Sequence, residues 1–106
     1  MASAMHVDWL KPWIVVEDPR DATAWSRELK QECPIGHILF GRDATFLARR
    51  QDRDDFLISL GGGEVAMVHL TWRQETNPIW PAAEVFASLE QWRDEVMIPE
   101  HAEWED

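Results

Sequence analysis

Apolar positions along this chain repeat first at helical spacing, then at every second residue, then at helical spacing again. Ala22, Trp25 and Leu29 fall at i, i+3 and i+7, a stripe on one face of a helix. Asp18 precedes them as a capping residue, Pro19 suits the first helical position, and Pro34 with Gly36 closes the segment. The spacing predicts a helix over Pro19 to Glu32.

From Ala44 the period drops to two. Three strands are predicted, Ala44–Arg50, Asp55–Leu60 and Glu64–Trp72, with turns at Asp52–Asp54 and Gly61–Gly63. Pairing Leu60 with Glu64 sets Phe56 opposite Val68 and Ile58 opposite Ala66. Phe56, Ile58, Ala66, Val68, Leu70 and Trp72 then share one face. A slip of one residue would mix the faces, so this register is the consistent one. It also sets Asp55 directly opposite His69. Leu47, Leu57, Val65, Met67 and Thr71 fall on the second face.

Asn77-Pro78 and Trp80-Pro81 then form a rigid connection, and Ala82–Phe86 reads as a short helical turn. Ser88 with Gln91 three residues on is a capping box, followed by Leu89, Trp92 and Val96 at helical spacing. Pro99 is expected to stop that helix near Ile98. The early run Pro12–Glu17, "PWIVVE", is either a fourth strand or an extended segment over the core.

The expectation is therefore one α+β domain spanning residues 1–106, with 1–8 and 100–106 flexible. Its centre is a three-stranded antiparallel meander, with an optional fourth N-terminal strand, packed against two helices. The Phe56/Ile58/Ala66/Val68/Leu70 face is expected to meet the helices. The second face needs a cover, either the Trp9–Val16 segment or a second copy in a homodimer.

Composition narrows the function. The chain has 106 residues, 45% of them hydrophobic, which suffices for one real core. Formal net charge is −10, from 20 acids and 10 bases, which argues against nucleic acid and anionic membranes as partners. Glu75–Asp106 holds nine acids against one base, Arg93, whereas Arg42–Arg53 holds four arginines against Asp43 and Asp52. Arg49 and Arg50 should point to opposite sheet faces, and local pairing with Asp52, Asp54 and Asp55 is the simpler reading of that spot. Cys33 is the single cysteine, so an internal disulfide and a Cys-rich zinc site are excluded. The start, "MASAMHVDWLKPW", lacks the apolar core of a secretory signal, and no window reaches the roughly 18 apolar residues of a membrane span. A soluble, cytoplasmic setting is expected.

Candidate chemistry is sparse. His69 beside Asp55 is a weak catalytic candidate, a general acid or base oriented by a carboxylate. No Gly-x-Ser-x-Gly elbow accompanies it, and an Asp–His cross-strand pair is also an ordinary sheet device. His37, four residues after Cys33, and His69 are weak metal candidates without a paired motif. No cofactor is expected. Gly61-Gly62-Gly63 opens no helix and reads as a hairpin loop, not a phosphate cradle.

Seven tryptophans (Trp9, Trp13, Trp25, Trp72, Trp80, Trp92, Trp104) and no tyrosine are many indoles for one small core, so some faces are available to a partner. Trp104 between Glu103 and Glu105 resembles an interface anchor with an electrostatic rim, suited to a basic protein. Trp72 and Arg73 are further binding candidates. The reading is a non-enzymatic protein-binding or regulatory module; the alternative is a small ligand-binding protein or enzyme with a site around Asp55 and His69. The latter requires a concave site with His69 in its wall.

"GHILFG", "RRQDRDDFLISL", "AMVHLTW" and "IWPAAEVFASLEQW" resemble a group of small uncharacterised bacterial proteins. The resemblance spans Gly36 to Trp104. It implies a compact α+β domain and a bacterial source, and it supplies no activity or catalytic residues.

Overall fold

The alternating segment folds as a meander with one strand added at each edge. In the computed structural model, which describes residues 7–105, five antiparallel strands lie in the order β1-β2-β3-β4-β5. They are β1 (Trp13–Val15), β2 (Thr45–Arg50), β3 (Asp55–Gly61), β4 (Glu64–His69) and β5 (Ala83–Phe86). Helix α1 (Pro19–Glu32) follows β1. A C-terminal helical run follows β5, made of α2 (Leu89–Trp92), a π-helical turn (Arg93–Met97) and α3 (Ile98–Glu105). The α+β class stands, with five strands in place of three or four.

The two added strands have different origins. β1 lies within the Pro12–Glu17 run and pairs Ile14 with Arg49. β5 replaces the expected helical turn at Ala82–Phe86. Its residues Ala83 to Phe86 pair with Val68 to Val65, because the open edge of β4 offers ladder partners that four residues could not supply to themselves as a helix.

The β3–β4 register is the one the pattern demands: Asp55↔His69, Phe56↔Val68, Leu57↔Met67 and Ile58↔Ala66. It shifts by one residue at the turn, where Gly61 rather than Leu60 pairs with Glu64. Gly61, Gly62 and Gly63 all have positive φ, which accommodates the bulged turn without a Cβ clash.

Each sheet face has its own cover. α1 alone packs on the Phe46/Phe56/Ile58/Ala66/Val68/Leu70 face, with Trp25 5.0 Å from the Phe56 ring centroid. The second face is closed by Trp13, Leu89, Trp92 and Met97 over Ala48, Leu57, Val65 and Phe86. Trp13 meets Trp92 edge-on, 5.0 Å between centroids. This corrects the expectation that both helices share one face. It also removes the open second face on which the homodimer expectation rested.

The expected helix stop near Ile98 is also corrected. The π-turn widens the helix so that the Ile98 N–H reaches the Arg93 carbonyl, and Pro99 then sits in the first turn of α3, where its missing N–H costs little. α3 is tied to the N-terminal segment. Glu100 Oε1 accepts from Trp13 Nε1–H at 2.8 Å and from Arg50 at 2.9 Å, and His101 Nδ1 lies 2.7 Å from the Lys11 carbonyl. No helix among the described residues is long and apolar enough to cross a membrane.

Candidate functional site

β4 leaves the ladder at His69, and the site is built from the strap that follows. Leu70 stays buried, its N–H on the Asp54 carbonyl at 3.0 Å. Thr71 and Trp72 turn out of the sheet toward the end of α1. There Glu32, 0% exposed, accepts the Thr71 N–H and the Trp72 N–H, each at 2.8 Å. The Thr71 hydroxyl lies 3.1 Å from the same Glu32 oxygen and 2.7 Å from Glu75 Oε2, so two carboxylates share its proton. A buried carboxylate requires such donors.

Trp72 thus has φ of +61°, the left-handed region that a bulky residue enters only when its surroundings enforce it. Its Nε1–H donates to Asp54 Oδ2 at 2.8 Å, yet the residue is 49% exposed. The sequence pattern placed Trp72 on the core face. The positive φ takes it off that face and fixes its indole by the edge, leaving the ring open to solvent.

His69 and Asp55 meet as the register requires, Nδ1 to Oδ1 at 2.7 Å, and Arg53 Nε holds the other Asp55 oxygen at 2.9 Å. Facing a carboxylate, Nδ1 is the ring nitrogen that carries a proton. The His69 side chain is 48% exposed. It lines an open cleft of about 430 Å³ together with Asp54, Thr71, Trp72, Glu75 and Trp80. Arg73 completes the wall and carries no ion pair among the described residues. His69, Trp72 and Arg73, singled out separately in the sequence, therefore share one site.

The remaining candidates lie elsewhere. Trp104 and Glu103 are exposed on α3, whose helical run covers the second sheet face; the side chain of Glu105 lies outside the described residues. His37 is corrected as a metal candidate. It is buried, its Nδ1 accepts the Leu39 N–H at 3.0 Å, and its Nε2 lies 2.7 Å from the Pro81 carbonyl, so neither nitrogen keeps a lone pair for a cation. Among the described residues no group of three or more His, Cys, Asp or Glu is arranged to hold a metal ion. Burial, then the charge of Glu32, pushes the Cys33 thiol up to about 11, which makes it a poor nucleophile. Of the basic spot, Arg50 pairs with Asp52 and Glu100, and Arg42 with Glu64. Arg49 lies over the Trp25 ring, on the face opposite Arg50.

The bonds of His37 expose a surface that pattern reading overlooked. The Nε2 bond ties the loop of residues 34–41 to the loop of residues 77–81, and Gly36 packs beside Pro78. Ile35 (82% exposed), Ile38, Phe40, Ile79 (67%) and Trp80 all project from these two loops. Trp80 also lines the cleft, which joins the loop surface to Trp72. The signal was present: five large apolar residues in stretches punctuated by Gly and Pro, where no helix or strand could bury them.

No family model, curated protein or solved structure matches this chain.

Proposed function

We propose that this protein is a non-enzymatic protein-binding module whose contact surface is formed by the two joined loops. One observation carries the reading. Of the eleven large hydrophobic residues exposed among the described residues, six (Ile35, Ile38, Phe40, Trp72, Ile79, Trp80) belong to these loops and the adjoining strap. Scattered apolar residues need no explanation, but a concentration on rigidly tied loops marks an interaction surface. The net charge of −10 opposes pairing of two copies and favours a basic partner. The test is affinity capture from the native host with wild type and with Ile35→Asp/Ile79→Asp, after circular dichroism shows both folded. A basic protein retained by wild type and lost by the variant supports the reading. Equal retention by both overturns it.

A second reading has its own support, because His69 stands in the wall of a cleft rather than on a flat sheet. In that reading the cleft binds a small ligand, with Nε2 of His69 as the acceptor or general base and Trp72 and Trp80 as walls. A ligand screen by indole fluorescence, repeated on His69→Gln, separates it from the first. Hits that bind wild type and not the variant favour the ligand site.

A further inference from the structure

We propose that the trough between α1 and residues 39–46 binds a small amphipathic anion, a medium-chain carboxylate. Its hydrocarbon end lies between Leu29 and Leu39, and its carboxylate lies at Arg27 and Lys30. The inference does not rest on the loop-surface reading.

The sequence of α1 sorts its charges. At 3.6 residues per turn, Arg20, Arg27 and Lys30 (i, i+7, i+10) fall on one flank of the helix. Asp21, Glu28 and Glu32 (i, i+7, i+11) fall on the other, with the Ala22/Trp25/Leu29 stripe between them. One flank is therefore cationic in a chain of net charge −10. Arg20 is paired with its capping neighbour Asp18 at 3.1 Å. Arg27 and Lys30 are exposed and carry no ion pair among the described residues.

The trough runs beside that flank. At its apolar end, Leu29, Cys33 and Leu39 are buried, Phe40 forms the rim, and the hollow measures about 290 Å³. That is room for roughly ten water molecules, or for a chain of several methylenes. Toward the start of α1 a second hollow of about 510 Å³ is lined on the helix by Thr23, Ser26, Arg27 and Lys30. Ser26, Lys30 and Ala44 line both hollows, so the two form one trough with an apolar end and a cationic end.

Each end selects part of the ligand. Water against Leu29, Cys33 and Leu39 is released when a hydrocarbon chain replaces it. A carboxylate at the other end accepts from the Lys30 ammonium, the Arg27 guanidinium and the Ser26 hydroxyl. The Thr23 hydroxyl is already spent on the Pro19 carbonyl at 2.9 Å. Two charges border the apolar end. Arg42 is held by Glu64 at 2.9 Å, and Asp43 is exposed on the loop, so an anionic head is drawn to the helix end and not to the loop end. An inorganic anion would leave the apolar end filled with water, and an anionic bilayer is opposed by the net charge.

The experiment titrates sodium octanoate into the whole chain and follows the methyl resonances of Leu29, Leu39 and Ala44 by NMR. Saturable shifts at these methyls are expected, with a Kd on the order of 1 mM or below. Binding should tighten about fourfold per methylene from butanoate to octanoate. Lys30→Gln with Arg27→Gln should weaken octanoate about tenfold and leave octan-1-ol unchanged. Ser26→Phe, which fills the junction of the two hollows, should block both; if it does not fold, the Gln pair still decides. No saturable shift at the three methyls overturns the site, as does equal binding of butanoate and octanoate. So does an octanoate affinity that the Gln pair leaves unchanged. Ile35→Asp/Ile79→Asp alters the loop surface and not the trough, so it should bind octanoate as wild type does; loss there would place the chain on the loops and overturn the site. The titration uses no protein partner, so its failure leaves the loop-surface reading standing, and failure of the capture experiment leaves the trough standing.

Discussion

Replacing Glu32 with leucine should destabilise the domain by about 2 kcal/mol, the net of a loss and a gain. The loss is two backbone N–H acceptors, those of Thr71 and Trp72, at 2.8 Å each. Leaving a buried donor unpaired costs about 1–3 kcal/mol, and both of these lie at the cleft, where water can partly replace the carboxylate. The low end, roughly 2–4 kcal/mol for the pair, is therefore appropriate. The Thr71 hydroxyl contributes little to the loss, because it keeps Glu75 as an acceptor. The gain is that leucine needs no desolvation of a charge, which returns on the order of 1 kcal/mol. Glu32→Gln should cost less, about 1 kcal/mol, since one acceptor oxygen remains but its hydrogen bonds are neutral and weaker. The assay is urea unfolding followed by circular dichroism. With a slope of about 1–1.5 kcal/mol/M for a domain of this size, the leucine variant should lose roughly 1.3–2 M in midpoint at unchanged slope. An unchanged midpoint, or a leucine variant more stable than the glutamine one, would show that the carboxylate does not anchor the strap.

Three further outcomes follow from the same structure. Glu28 has its carboxyl raised from 4.5 to about 7 in the folded protein, so its contribution to stability is full below pH 4.5 and is lost as pH rises through 7. Discounted for its solvent contact, that is about 1 kcal/mol, read as a slope in urea midpoints between pH 5 and 8 that Glu28→Gln abolishes. Cys33 should react with a thiol reagent at pH 8 only at the rate of unfolding, and immediately in denaturant; fast reaction in buffer would contradict its burial and its raised pKa of about 11. Trp92→Ala should cost about 3–5 kcal/mol, since the indole is fully buried against Trp9 and Trp13, and a loss below about 1 kcal/mol would show that the second face is not closed as described.

Where pattern and structure agree, burial on one face is what decided the outcome. The β3–β4 register was legible because a one-residue slip would have exposed Phe56, Ile58 and Val68 together. α1 was legible to both ends because Asp18, Pro19 and Pro34 punctuate it. β5 was not, since Ala83–Phe86 has no period of its own and takes its form from the free edge of β4. Pro99 misled for a related reason: its rule concerns regular α-helix, and the π-turn before it changes the carbonyl positions. Trp72 was misplaced by carrying strand alternation three residues beyond His69. The clue lay 40 residues earlier. Glu32 stands three positions after Leu29, on the stripe of Ala22 and Trp25, so a carboxylate occupies a place due to an apolar side chain. A charge forced onto a buried face implies donors from another segment, and Thr71 and Trp72 are those donors.

The choice between the two apolar surfaces turns on what holds each in place. Trp104 is a single indole, 38% exposed near the end of α3, with Glu103 beside it. A partner docking there would cover one ring, on a helix tied to the N-terminal segment through Glu100 and His101. The loop surface gathers Ile35, Ile38, Phe40, Ile79 and Trp80. His37 joins the loops through Nε2 at the Pro81 carbonyl and braces its own loop through Nδ1, and Glu32 with Asp54 fixes Trp72 at their margin. Side chains held before contact lose less freedom on binding, and the loops present several such side chains where α3 presents one ring. If the joined loops are the contact surface, as proposed, the acids of the C-terminal third would supply the field that draws a basic protein in, in place of the rim around Trp104 that the sequence suggested. The two roles separate experimentally: Glu103→Lys should slow association and weaken its salt dependence, whereas Ile79→Asp should speed dissociation.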